Sequence, residues 1–171
     1  VQVDPIFATP YQISGEQFEV SWIATVPPLG FASYTIKRFK GSRDQNTNLG
    51  VAKVTAKDPR SLESVEPFEV ESLPQLDPFS LATDQLTVDF DSDGLLSSIT
   101  HGGVKTSVKL SFIRYGTRTG QSMSGAYLFL PDGPASVLEP EDGHHVRVIK
   151  GAMRSQVTVY MPFVVHQVTV N

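Results

Sequence analysis

Nowhere in the 171 residues do apolar side chains recur at the spacing of a capped amphipathic helix. What recurs instead is short runs that alternate apolar and polar, each broken within a few residues by Gly, Pro, Asn or Asp. Successive side chains of a strand point to opposite faces, so such runs can bury one face against a core and leave the other in water. A chain built only of these runs can fold only as stacked sheets. The fold class is therefore all-β, an antiparallel β-sandwich. At 40% hydrophobic and 19% charged residues there is enough apolar material for a sizeable core.

Taken in order, residues 1–12 carry Pro5 and Pro10 among apolar residues and read as an extended edge segment. Phe18 to Ala24 alternates and reads as a strand, and Pro27-Pro28-Leu29-Gly30 breaks it. Phe31 to Phe39, rich in aromatic and β-branched residues, reads as a second strand that returns beside the first. Gly41 to Gly50 is polar without a period and reads as a long loop. Prolines then recur from Pro59 to Pro78, with one short strand near Phe68-Glu69-Val70. The implied organisation is a small β-domain over 1–65, a proline-rich linker over 66–79 and the first part of a sandwich over 80–171.

Past Ser80 the strands come quickly. Leu86 to Phe90, the turn Asp91-Ser92-Asp93-Gly94 and Leu95 to Thr100 form a hairpin signal. Val104 to Tyr115 is a further strand, with Val108, Leu110 and Phe112 on one face. Ser124 to Leu130 reads as a core strand, stopped by Pro131, which has no N–H for a ladder, and by the turn residues Asp132 and Gly133. Val146 to Lys150 and Val157 to Met161 flank Gly151-Ala152-Met153, and Val164 to Val170 ends the chain in strand pattern. Such an ending implies a fragment whose last strand pairs with one beyond Asn171.

A net charge of −4 argues against nucleic acid or an anionic membrane as partner. No apolar run approaches the roughly 20 residues that a helix needs to cross a bilayer. With no cysteine, the chain has no disulfide, thiolate metal site or cysteine nucleophile.

Three motifs bear on chemistry. Asp89-x-Asp91-x-Asp93-Gly94 matches the first half of a calcium loop. The bidentate acid such a loop needs six residues after its glycine is here Thr100, and the flanks are strands, so the acids read as decoration on a hairpin turn. His144, His145 and His166 raise zinc, yet adjacent histidines on a strand face opposite ways. Arg114 and Arg118 straddle a turn beside Tyr115, where they could hold a carboxylate or stack on a sugar, or simply remain solvated. The chain has no Gly-x-Ser-x-Gly elbow and no phosphate-cradling glycine loop.

Ser124-Gly125-Ala126-Tyr127-Leu128-Phe129-Leu130-Pro131-Asp132-Gly133, preceded by Tyr115-Gly116-Thr117, resembles the β-rich part of the glycoside hydrolase family 38 α-mannosidases, the Golgi type more than the lysosomal. Val26 to Tyr34, Asp93 to Ile99, Val146 to Gly151 and Val164 to Gln167 fit in the same order. The resemblance implies a galactose-mutarotase-like supersandwich, preceded by part of a small β-domain. It implies a parent enzyme that is a zinc-dependent, retaining α-mannosidase trimming mannose from N-glycans in the Golgi lumen. The zinc ligands and nucleophile of that family belong to an N-terminal barrel that this chain lacks. No catalytic, cofactor-binding or metal residue is therefore assigned here, zinc is expected only in the parent's catalytic domain, and the expected partners are the parent's other domains. The alternative is a self-standing carbohydrate-binding β-module.

Overall fold

The computed structural model describes residues 1–37, 50–58, 62–118, 120 and 124–171. Among these residues the ordered elements are all strands. The N-terminal part holds β1 (Gln2–Thr9), β2 (Gln12–Ser21), β3 (Gly50–Val51), β4 (Lys53–Lys57) and β5 (Val70–Leu73). The middle holds β6 (Phe79–Ala82), β7 (Leu86–Phe90), β8 (Leu96–His101), β9 (Val104–Ser107) and β10 (Ile113–Arg114). The C-terminal part adds β11 (Ser136–Val137), β12 (His145–Lys150), β13 (Ser155–Met161) and β14 (Val164–Val170).

The organising element is a five-stranded sheet in the order β14-β13-β12-β4-β5. Its alternation sends Val146 and Val148 of β12 and Val157 and Val159 of β13 to one face, where all four are buried. Against that face packs the four-stranded sheet β6-β7-β8-β9, which contributes Leu81, Val88 and Phe90 to the same core. The Phe79 and Phe90 rings stack at 5.1 Å. This is the expected sandwich.

At its β4 end the opposite face of the five-stranded sheet is covered too. Val54 and Ala56 point there and share a second core with Ile13, Leu62 and Phe68. Val3, Phe7 and Phe18, from the sheet β2-β1-β3, complete it. The five-stranded sheet thus serves two cores, one on each side. Two pairings, β1 with β3 and β4 with β5, are parallel. β4 comes from the 1–65 segment and β5 from the stretch read as linker, and both are hydrogen-bonded into the sheet that contains β12.

The sequence places the hairpins β7–β8 and β12–β13 where they are found, and Val108, Leu110 and Phe112 are half-buried, although between strands and not on one. It misplaces four features. Residues 1–12 are not an edge, because β1 lies between β2 and β3; Pro5 is accommodated by the shift in register between Pro5 and Phe7. Residues 31–37 form no strand, residues 38 and 39 lying outside the described residues. Ser124 to Leu130 is not a core strand: it is an irregular loop with Tyr127, Leu128 and Phe129 exposed. Both segments have strand composition but join no ladder among the described residues, and composition alone does not supply the partner that a pleated ladder needs. Finally, Val104 to Tyr115 is not one strand, since β9 ends at Ser107 and β10 begins at Ile113. The last apolar run pairs upstream, β14 with β13 along its whole length, and its other side is an edge of the five-stranded sheet. The long loop read over Gly41 to Gly50 lies outside the described residues except for Gly50, which opens β3.

Candidate functional site

The most deeply placed charges lie where the first sheet meets the five-stranded one. Arg147 of β12 and the Asp58 side chain at the end of β4 have no exposed surface and form an ion pair through Arg147 Nη2. Arg147 also donates to the carbonyls of Pro10, at 2.5 Å, and Val146, at 3.0 Å. The Pro10 contact ties the β1–β2 turn to β12, so the guanidinium spans both sheets. His145 sets its Nδ1 3.3 Å from Asp58, and Tyr11 meets its ring edge-on at 5.4 Å. A charge this enclosed cannot reach a substrate. What it does is join two layers.

A second polar group does the same at the other end of β1. Gln2 Oε1 accepts from the N–H groups of Met153 and Arg154 at 2.7 and 3.1 Å, and its Nε2 donates to the Arg154 carbonyl at 2.8 Å. The Gln2 amide therefore fills the β12–β13 turn, and a Cβ on Gly151 would land on it. Gln2 Nε2 also donates to Asp4, whose carboxyl is pushed up by burial against the lowering effect of that bond. Between Asp4, Glu19, Ile149 and Arg154 lies a cavity of about 20 Å³, room for a single water.

The motifs singled out in the sequence do not converge. Asp89 accepts from Lys105, Ser80 and Ser98, and the Lys105 bond above all holds its carboxyl well below the usual range. Asp91 turns back on the hairpin, its Oδ1 accepting from Asp93 N–H and Leu95 N–H, each at 2.9 Å. Asp93 pairs with Lys57 at 2.7 Å, which lowers its pKa, and lies 3.6 Å from His144 Nδ1. His145 points instead to Asp58, and His166 lies on β14 with its ring 5.9 Å from Phe112. Arg114 sits in β10, paired with β11, and Arg118 is exposed, its N–H reaching the Leu130 carbonyl at 3.3 Å. Among the described residues no three of His, Cys, Asp or Glu are grouped as a metal site.

Sequence reasoning passed over Gln2, Asp58 and Arg147. Period-two alternation in His145 to Lys150 marks Arg147 as facing away from Val146 and Val148, which on a two-layer reading means solvent. The signal that could have found it is Ile149, an apolar residue on that same face.

Among the described residues, two of the apolar and open surfaces carry paired aromatic rings. The loops around β10 and β11 present Tyr115, whose ring meets Phe129 edge-on at 5.8 Å, with Tyr127 fully exposed beside them in sequence. The segment after β2 presents Trp22 and Tyr34, rings 5.7 Å apart, beside an open cleft of about 380 Å³ lined by Val20, Ser21 and Ala24.

Comparison with known proteins places this architecture. A family model described as "Glycosyl hydrolases family 38 C-terminal domain" matches residues 81–171. Alpha-mannosidase 2 of Drosophila melanogaster is 35% identical over 159 residues, 91% of this chain and 14% of the relative. The human Alpha-mannosidase 2 is 30% identical over 171 residues, 98% of this chain and again 14% of the relative. Lysosomal alpha-mannosidase of Dictyostelium discoideum is 28% identical over 153 residues, 85% of this chain and 15% of the relative. The chain thus spans about one-seventh of the length of the relatives it matches.

Proposed function

Because the chain belongs to glycosyl hydrolase family 38, whose C-terminal domain its residues 81–171 match, we propose that it is a non-catalytic β-sandwich part of a longer α-mannosidase. The observation that carries the reading is the pairing of near-complete coverage of this chain with 14% coverage of the relative. The relative's name supplies the activity, and most of its length lies outside the match. The layer-joining roles of Arg147, Asp58 and Gln2 support a scaffold rather than a site. The described residues offer no zinc-binding group of their own, so we derive no step through zinc. In this reading zinc and the retaining chemistry belong to the parent's catalytic domain, the substrate is N-glycan mannose, and the location is the Golgi lumen. The division into a small β-domain (1–65), a connector (66–79) and the start of a mutarotase-like sandwich (80–171) belongs to the proposal too, with β4 and β5 lending strands to the sandwich's sheet.

The alternative, a self-standing carbohydrate-binding module, draws on the exposed Tyr115, Tyr127 and Phe129, since aromatic faces stack on sugars. NMR titration of the 171-residue chain with mannose oligosaccharides separates the two. A scaffold gives no saturable shifts. A saturable set of shifts within Leu110 to Leu130 establishes the binding module and removes the scaffold reading.

A further inference from the structure

We infer that residues 22–37 form a strand-bearing arm that docks on a sheet edge supplied by the rest of the parent polypeptide; this rests on the longer α-mannosidase proposed above. The argument begins with a mismatch. Phe31-Ala32-Ser33-Tyr34-Thr35-Ile36 has the aromatic and β-branched composition of a strand, yet among the described residues it belongs to no ladder. The arm nevertheless folds back on itself. Gly30 N–H donates to the Pro27 carbonyl at 3.0 Å, closing a turn, and Trp22 and Tyr34 meet across it at 5.7 Å.

The composition of the surface selects the occupant. Ile23 is 85% exposed, Phe31 90%, Ile36 66% and Leu29 fully exposed. Four large apolar side chains exposed within one short segment mark an interaction surface. Sugars stack on aromatic rings and leave aliphatic side chains unsatisfied, so Ile23, Leu29 and Ile36 point to protein. A backbone without a ladder partner points to a strand edge, because an extended segment satisfies its N–H and C=O groups best by adding to a sheet. The source is the same polypeptide, since the matched relatives carry most of their length outside this region.

The test is hydrogen–deuterium exchange read by mass spectrometry on the full-length parent polypeptide and on the 171-residue chain. The expected result is that amides of residues 22–37 exchange at least about tenfold more slowly in the full-length protein than in the chain alone. A companion variant, Phe31→Ser with Ile36→Ser, lowers the melting midpoint of the full-length protein and leaves that of the isolated chain unchanged. Equally fast exchange in both proteins overturns the docking. So does protection in the isolated chain that rises with concentration as a dimer forms, which assigns the arm to a second copy. Assaying α-mannosidase activity on the same full-length preparation keeps the two claims apart. An active protein with an unprotected arm refutes the docking alone; an inactive protein with a protected arm refutes the functional reading alone.

Discussion

A guanidinium with no exposed surface costs least when its charge and donors are answered, and Asp58 with the Pro10 and Val146 carbonyls answers the two terminal nitrogens of Arg147, its Nε alone having no hydrogen-bond partner among the described residues. Removing one member strands the other. Arg147→Met is expected to cost about 3–5 kcal/mol in urea unfolding, most of it the penalty on a buried Asp58 that has lost its guanidinium. The double variant Arg147→Met with Asp58→Leu should recover the larger part, and a double as unstable as the single would contradict this account. His166 sets a second residue-scale expectation. Burial pushes its imidazole below the ordinary value of about 6.5, with Asp91 opposing weakly, and its Nδ1 has no hydrogen-bond partner. The folded state therefore disfavours the proton. Above about pH 6.5 both states hold the neutral ring and this contribution is complete; below it the unfolded chain takes up the proton first and stability is lost. Unfolding midpoints at about pH 8 and about pH 5 should show a smaller acid loss in His166→Leu than in the natural chain. Neither residue announces itself in the sequence. Alternation places Arg147 opposite the valines, but only the arrival of β1 and β2 makes that side an interior.

At the scale of elements, legibility follows whether a strand's partner is close in sequence. The hairpin β7–β8 could be read because its turn is local: Asp91 caps the turn with its own side chain and Gly94 takes a φ of 73°. Gly94 also lies over the main core, where an added Cβ would come within 2.7 Å of a Val146 methyl. Gly94→Ala therefore combines left-handed strain with overpacking. It should destabilise by about 1–3 kcal/mol, where a glycine merely filling a turn would lose well under 1 kcal/mol. Thermal unfolding of the variant decides between these. The hairpin β12–β13 was legible for the same reason. Ser124 to Leu130 and Phe31 to Ile36 were not, because composition records a preference for a ladder and says nothing of where the ladder's other strand is. In Ser124 to Leu130 the chain closes on itself instead, Ser124 Oγ both donating to and accepting from the Leu130 backbone. The parallel pairing of β4 with β5 was equally hidden, since its two strands are joined through the segment read as a linker.

For the whole molecule, the sequence conveyed the all-β class and, through the resemblance carried by Ser124 to Gly133, the family to which the chain belongs. It did not convey that one five-stranded sheet is shared by two cores, which depends on β4 crossing to pair with β12. That sharing gives the assembly its physical character. The interior is held chiefly by valines and leucines with Phe68 and Phe90, and its buried charges bind layer to layer. Its least satisfied surfaces are apolar and face outward. Such a design suits a scaffold that completes a larger enzyme. The most direct measurement of this claim is hydrolysis of an aryl α-mannoside, followed in parallel for the full-length parent polypeptide and for the 171-residue chain alone, each with and without added zinc. The account predicts turnover by the full-length protein and none by the isolated chain under either condition. Turnover by the isolated chain, with or without zinc, would contradict it.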